Sequence, residues 1–135
     1  MKNNILCIED NSDNLLLLRR ILESSGHCLF QAKNGLDGIT IAEREEIDLI
    51  LLDINLPDID GYEVTRKLRA SQKHTLANIP IIVCSANALK GDAQKALSAG
   101  CNLYMTKPID IHELSARVES PSTTLNAFCV GSTER

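Results

Sequence analysis

Five side chains that could do chemistry together each stand at the end of a short apolar run. Glu9 and Asp10 follow the run ending at Ile8, Asp53 follows 49–52, Ser85 follows 79–84, and Lys107 follows 103–106. Brought to one place, three carboxylates repel one another and call for a cation. Oxygen donors without His or Cys favour Mg²⁺, which keeps several waters and completes its shell with phosphate. Lys107 brings a further positive charge, and an ammonium beside a divalent cation suits a phosphoryl group. The Ser85 hydroxyl can donate to a phosphoryl oxygen, and a carboxylate that attacks phosphorus becomes an aspartyl phosphate. Asp53 on its own reads equally well as a helix cap or turn residue, because Pro57, Asp58, Asp60 and Gly61 follow it. The recurrence of such residues at matching strand ends is what favours a site.

The elements that must position them alternate. Short apolar runs at 4–8, 27–32, 49–53, 79–84 and 103–106 read as strands. The third is apolar on both faces, which suits the centre of a parallel sheet. Between the strands lie helical spacings. Asn11 or Ser12 can cap a helix whose stripe is Leu15, Leu18, Ile21 and Leu22, with Leu16 and Leu17 broadening its covered face. Gly26 ends it as a left-handed cap. Asn34-Gly35 starts a helix carrying Leu36, Ile39, Ile41 and Ala42, and Gly61 opens one carrying Val64 and Leu68. Residues 70–78 read as a polar connection. A helix from about residue 90 stops at Gly100, and Asp110 can cap a last one with Ile111, Leu114 and Val118, stopped by Pro121. Five strands alternating with five helices imply a doubly wound α/β fold whose parallel sheet has helices on both faces. Ligands of such sheets bind at the carboxyl ends of the strands, where the five side chains would meet. Residues 120–135, rich in Ser and Thr, read as a flexible C-terminal tail in which Leu125, Phe128 and Val130 could dock.

Composition excludes several classes. A formal net charge of −4 with no Trp argues against nucleic-acid binding. No apolar run approaches membrane-spanning length, the amino terminus lacks a signal-peptide shape, and a cytoplasmic location is expected. The five cysteines form no Cys-x-x-Cys pair and are odd in number, which argues against a disulfide framework or a zinc site. His27, His74 and His112 show no metal spacing and read as surface or edge residues. Lys33, Lys67, Lys90 and Lys95 read as solvated.

The chain resembles the receiver domains of two-component response regulators over residues 4–119. The resemblance is carried by Glu9-Asp10, by Leu52-Asp53-Ile54-Asn55-Leu56-Pro57 with Asp60-Gly61, by Ser85-Ala86 and by Lys107-Pro108. It implies a flavodoxin-like five-stranded sheet of order 2-1-3-4-5, with residues 1–119 as the receiver domain. It implies that Asp53 is the phosphoacceptor, and that Asp10, Asp53 and the backbone carbonyl of Asn55 hold Mg²⁺ with help from Glu9. Lys107 and Ser85 would take the catalytic roles, Ser85 and Tyr104 the switch, and the Lys107–Pro108 bond would be cis. The implied donors are a histidine kinase or a histidine phosphotransfer protein, and the only chemistry is the domain's own phosphorylation and dephosphorylation. The stretch 85–92 is most similar to single-domain and hybrid-kinase receivers. Asn102 and Leu103 stand where DNA-binding regulators carry dimer-face acids, so a monomer is expected, with dimerisation on phosphorylation left open. The alternative from a different class is a phosphatase or phosphotransferase of the haloacid dehalogenase type. That alternative wants a second Asp at position 55, where this chain has Asn, and its nucleophile after the first strand. A third reading, a degenerate receiver, sits badly with the presence of all five site residues.

Overall fold

The computed structural model describes residues 3–86, 92–107 and 110–119. The chain runs β1 (Asn4–Ile8), α1 (Ser12–Ser24), β2 (Cys28–Ala32), α2 (Gly35–Arg44), β3 (Leu49–Asp53), α3 (Gly61–Arg69), α4 (His74–Ala77), β4 (Ile81–Ser85), α5 (Asp92–Ala99), β5 (Leu103–Thr106) and α6 (Ile111–Glu119). All strand pairs are parallel, in the order β2-β1-β3-β4-β5. The doubly wound five-stranded sheet expected from the chain is therefore the one it forms.

Both faces of the sheet are buried, and alternation along each strand divides the core in two. Leu6, Ile8, Ile50, Leu52, Ile81 and Val83 point to the side of α2, α3 and α5. Ile5, Cys7, Leu49, Leu51, Ile82, Cys84 and Met105 point to the side of α1 and α6, against Leu15, Leu22, Leu114 and Val118. A strand covered on both sides needs apolar residues at successive positions, which is why β3 reads Leu-Ile-Leu-Leu before its acid. β2, at the edge, is half-buried along most of its length.

Helix boundaries follow local chemistry. Asn11, Asn34 and Asp60 each accept a backbone N–H in the first turn of α1, α2 and α3, and Asp110 does the same for α6. Gly26 and Gly100 have φ of +89° and +115°, the left-handed region that lets α1 and α5 end sharply.

The structure corrects three sequence expectations. Leu16 and Leu17 do not widen the buried face of α1, and Leu36 does not face the core from α2. All three are exposed, because each helix touches the sheet along one stripe and the space beside it is solvent. The connection at 70–78 contains the single turn α4, which buries Leu76 over the core. Lys95 is exposed as expected, with its ammonium 4.8 Å from the centroid of the Tyr62 ring. His27 is a buried residue, 4% exposed, and Asn3 donates its backbone N–H to His27 Nδ1 at 3.0 Å. The Lys107–Pro108 bond, Lys90, Pro121 and the tail at 120–135 lie outside the described residues.

Candidate functional site

The strand ladders run right up to the chemical residues. Glu9 donates its N–H to Ala32 O at 2.9 Å, Ile54 to Cys84 O at 3.1 Å, and Lys107 to Ser85 O at 2.7 Å. Each acid or base therefore leaves the sheet from backbone that is still hydrogen-bonded, and its starting point is held by the sheet. Register places Asp53 opposite Cys84 and Ser85 opposite Thr106. Beyond Asp53 the chain turns sharply, with Gly61 donating its N–H back to Ile54 O at 2.9 Å. Gly61 is required there: a Cβ would lie 2.7 Å from Asp53 O and 2.9 Å from the Ile54 Cα.

Four of the expected site residues, Glu9, Asp10, Asp53 and Lys107, come together. Ligand atoms of Glu9, Asp10 and Asp53 lie within 4.8 Å of one another. Glu9 and Asp53 are buried, and Asp10 is exposed at the mouth. Lys107 Nζ reaches into the cluster, 2.8 Å from Glu9 Oε1 and 3.5 Å from Asp53 Oδ1. Glu9 Oε2 accepts the Asn11 N–H at 3.2 Å, so both oxygens of Glu9 are engaged. Among the described residues, three carboxylates against one ammonium leave two negative charges uncompensated, the charge that one Mg²⁺ would neutralise. The donor set is all oxygen, as that ion requires.

The electrostatics mark Asp53 as the strained member. Burial, then the neighbouring Glu9 carboxylate, push its pKa up to about 6, against the opposing pull of Lys107. Burial works to lower the pKa of Lys107, but its hydrogen bond to Glu9 and the charges of Asp53 and Glu9 outweigh this and raise it. Lys107 therefore stays an ammonium. The Cys84 thiol, beneath the site, is pushed up to about 12 by burial, which keeps it inert.

Ser85 is buried at 2% exposure, next to the cluster on β4. Tyr104 is buried at 4% and packs in the core cluster that contains Val83, Ala96 and Ala99. An aromatic expected to turn inward on activation is thus already inside in this structure. Asn55 is exposed in the loop after β3.

A family model described as the response regulator receiver domain matches residues 5–119. The chain belongs to that family. Among curated relatives of this receiver domain, the polar-differentiation response regulator DivK of Brucella anthropi is 36% identical over 120 residues, covering 89% of this chain and 96% of its own length. Among solved structures, the receiver domain of the sensor histidine kinase PA1611 from Pseudomonas aeruginosa PAO1 superposes with a TM-score of 0.81 at 35% identity, covering 94% of this chain and 100% of that one. That structure holds a magnesium ion coordinated in its active-site cleft. A further match, TM-score 0.77 at 30% identity over 87% of this chain and 86% of the other, comes from the Saccharomyces cerevisiae co-crystal of the histidine phosphotransfer protein Ypd1 with the receiver domain of Ssk1. The haloacid dehalogenase alternative falls with this assignment. In the receiver domain described here the acid closes β3, the third strand in sequence and the middle one of the sheet.

Sequence reasoning passed over two residues in particular. Asp58 sits among turn residues in the sequence, yet both its carboxylate oxygens accept N–H groups from the first turn of α2. His27 reads as a surface or edge residue, yet it is buried and hydrogen-bonded to both Asn3 and Glu119. No local pattern betrays either, because their partners lie 22 or more residues away.

Proposed function

We propose that Asp53 accepts a phosphoryl group from a phosphohistidine, with Mg²⁺ held by Asp10, Asp53 and the backbone carbonyl of Asn55 and aided by Glu9. The observation that carries this reading is the buried Asp53 carboxylate set between a cluster of acids and the Lys107 ammonium. The bound cation would offset charge on the phosphoryl oxygens and let the crowded carboxylates ionise together. An Asp53 oxygen then attacks phosphorus, the P–N bond of the donor breaks, and its electron pair stays with the imidazole nitrogen. Lys107 lies within reach of an oxygen on the Asp53 phosphate, and its charge is not needed elsewhere once the metal compensates Glu9. Ser85 donates its hydroxyl to another phosphoryl oxygen. That bond is charge-assisted, worth about 1.5–3 kcal/mol, and biases the packing of Tyr104 behind it.

Donors of the matching class are a histidine kinase or a histidine phosphotransfer protein. The Ypd1–Ssk1 neighbour supports this by likeness. No helix of the described residues is long and apolar enough to cross a membrane, in keeping with a cytoplasmic module. The domain is read as closing at residue 119, with 120–135 as a tail beyond it. The module turns over no substrate other than its own phosphoryl group.

The test is incubation with acetyl phosphate and Mg²⁺ followed by intact-mass spectrometry. One adduct of phosphate mass is expected on the wild-type chain, none on Asp53→Asn and none in excess chelator. An undiminished adduct on Asp53→Asn places the phosphoacceptor elsewhere.

A further inference from the structure

The loop between β3 and α3 carries Asn55, and it is tied down at an unexpected place. Asp58 Oδ1 accepts the backbone N–H of Gly35 at 2.8 Å, and Oδ2 accepts that of Leu36 at 2.8 Å. These are the first two N–H groups of α2, which no carbonyl within the helix can satisfy. Asn34 satisfies Asp37 N–H at 2.8 Å, and the Asn34 carbonyl takes Gly38 N–H. The helix thus takes half of its first-turn partners from a loop more than 20 residues away.

Surface contact accompanies the fork. A Cβ at Gly35 would lie 2.7 Å from Ile59 Cγ1 and 2.7 Å from Val64 Cγ2, so only a bare backbone lets the loop come this close. The small burial of Asp58 opposes its ionisation, but the backbone N–H groups of Gly35, Leu36 and Ile59 outweigh this and hold its carboxyl below the usual carboxylate range. The fork is therefore charged and fully engaged at neutral pH. At the other side of the loop, Leu56 and Gly61 both donate N–H groups to Ile54 O, at 3.2 and 2.9 Å. Asn55 sits between these two anchors.

We propose that Asp58 is a positioning residue for the metal site: its two-oxygen clamp on α2 holds the Asn55 backbone where the cation needs it. The role rests on the Mg²⁺ reading given above. Coupling of this kind is reciprocal, so a metal that fixes Asn55 also tightens the clamp on Gly35 and Leu36.

The test is Mg²⁺ titration of the whole chain by amide NMR, run at about 1 M KCl, where a Debye length of ~3 Å screens the lost surface charge. Asp58→Ala should bind Mg²⁺ about tenfold more weakly, the scale on which supporting residues act on metal affinity. The conservative Asp58→Asn, which keeps one acceptor oxygen, should fall between. Asp13→Asn, an exposed acid on α1, should stay within about twofold of wild type as a charge control. In the wild type the Gly35 and Leu36 resonances should move on saturation with Mg²⁺. Should Asp58→Ala fail to fold, Asp58→Asn reads the same difference. Equal affinity in wild type and Asp58 variants, with Gly35 and Leu36 unmoved, reduces Asp58 to a helix cap and overturns the proposal. Unchanged Mg²⁺ affinity in Asp53→Asn instead overturns the site reading itself, on a different variant, and the clamp's role falls with it.

Discussion

At the amino-terminal edge of the sheet polar groups satisfy one another, whereas at the carboxyl edge they are held in conflict. The first edge joins His27, Asn3 and Glu119. His27 Nδ1 accepts the Asn3 N–H, so Nε2 carries the hydrogen and donates to Glu119 Oε2 at 3.1 Å. Asn3 Nδ2 donates to Val118 O at 2.8 Å, which fastens the end of α6 beside the start of β1. Each buried group there has a partner, and the hydrogen bond to His27 holds the Glu119 carboxyl below its usual range. At the other edge Glu9 and Asp53 are equally buried, but they face each other and Asp10 with the Lys107 ammonium among them. One edge spends its polar groups on closing the domain. The other keeps carboxylates crowded at the strand ends, where a cation can relieve them.

The comparison can be broken first at the turn that delivers Asp53. Gly61→Ala forces a Cβ against the Asp53 carbonyl and the Ile54 Cα. It should lower stability by about 2 kcal/mol in urea unfolding and reduce phospho-adduct formation as well. A variant of wild-type stability would mean that the turn has room that the geometry denies.

His27→Ala should cost about as much in stability, again about 2 kcal/mol, by leaving the buried Asn3 N–H without its acceptor and opening a void. It should leave Mg²⁺ affinity and the adduct untouched. A matched loss of metal binding would show that the two edges are not independent.

Asp53→Asn should do the reverse of ordinary core damage. In metal-free protein at pH 7.5 it should raise stability by about 1 kcal/mol, because it removes an ionised carboxylate that burial and Glu9 penalise. The sign follows from proton binding. With a folded pKa of about 6, raised above the unfolded value of 3.8, folded Asp53 binds more protons than unfolded Asp53 between those limits. Its contribution is present below the unfolded pKa and lost as pH rises through about 6. The gain of Asp53→Asn over wild type should therefore shrink toward pH 4. Saturating Mg²⁺ should reverse the order and favour wild type. Equal stabilities at every pH would mean that Lys107 fully compensates Asp53.

The smallest expected effect is that of Glu119→Gln. The Glu119 side chain is about half exposed, and a Gln carbonyl oxygen can still accept from His27 Nε2. The thermal midpoint should hardly move. A drop as large as that of His27→Ala would show that the pair is ionic and that its charge matters.

Much of this protein was written in local pattern. A run apolar at every position specified a strand covered on both faces, and Asn34, Asp110, Gly26 and Gly100 marked helix ends through local backbone chemistry. The five chemical residues were legible because a parallel sheet sends all its strand ends to one edge. Distances and contacts across the fold were decided only by the tertiary structure. That Lys107 bonds Glu9 more closely than Asp53, that Asp53 is pushed up toward pH 6, and that Tyr104 is already inside are outcomes of burial and packing. So are the exposure of Leu16, Leu17 and Leu36, the burial of His27 and the Asp58 fork. Sequence dictates which groups a segment offers over one or two turns. Which distant N–H or charge a side chain meets depends on how the helices settle on the sheet, and no spacing within a segment encodes that.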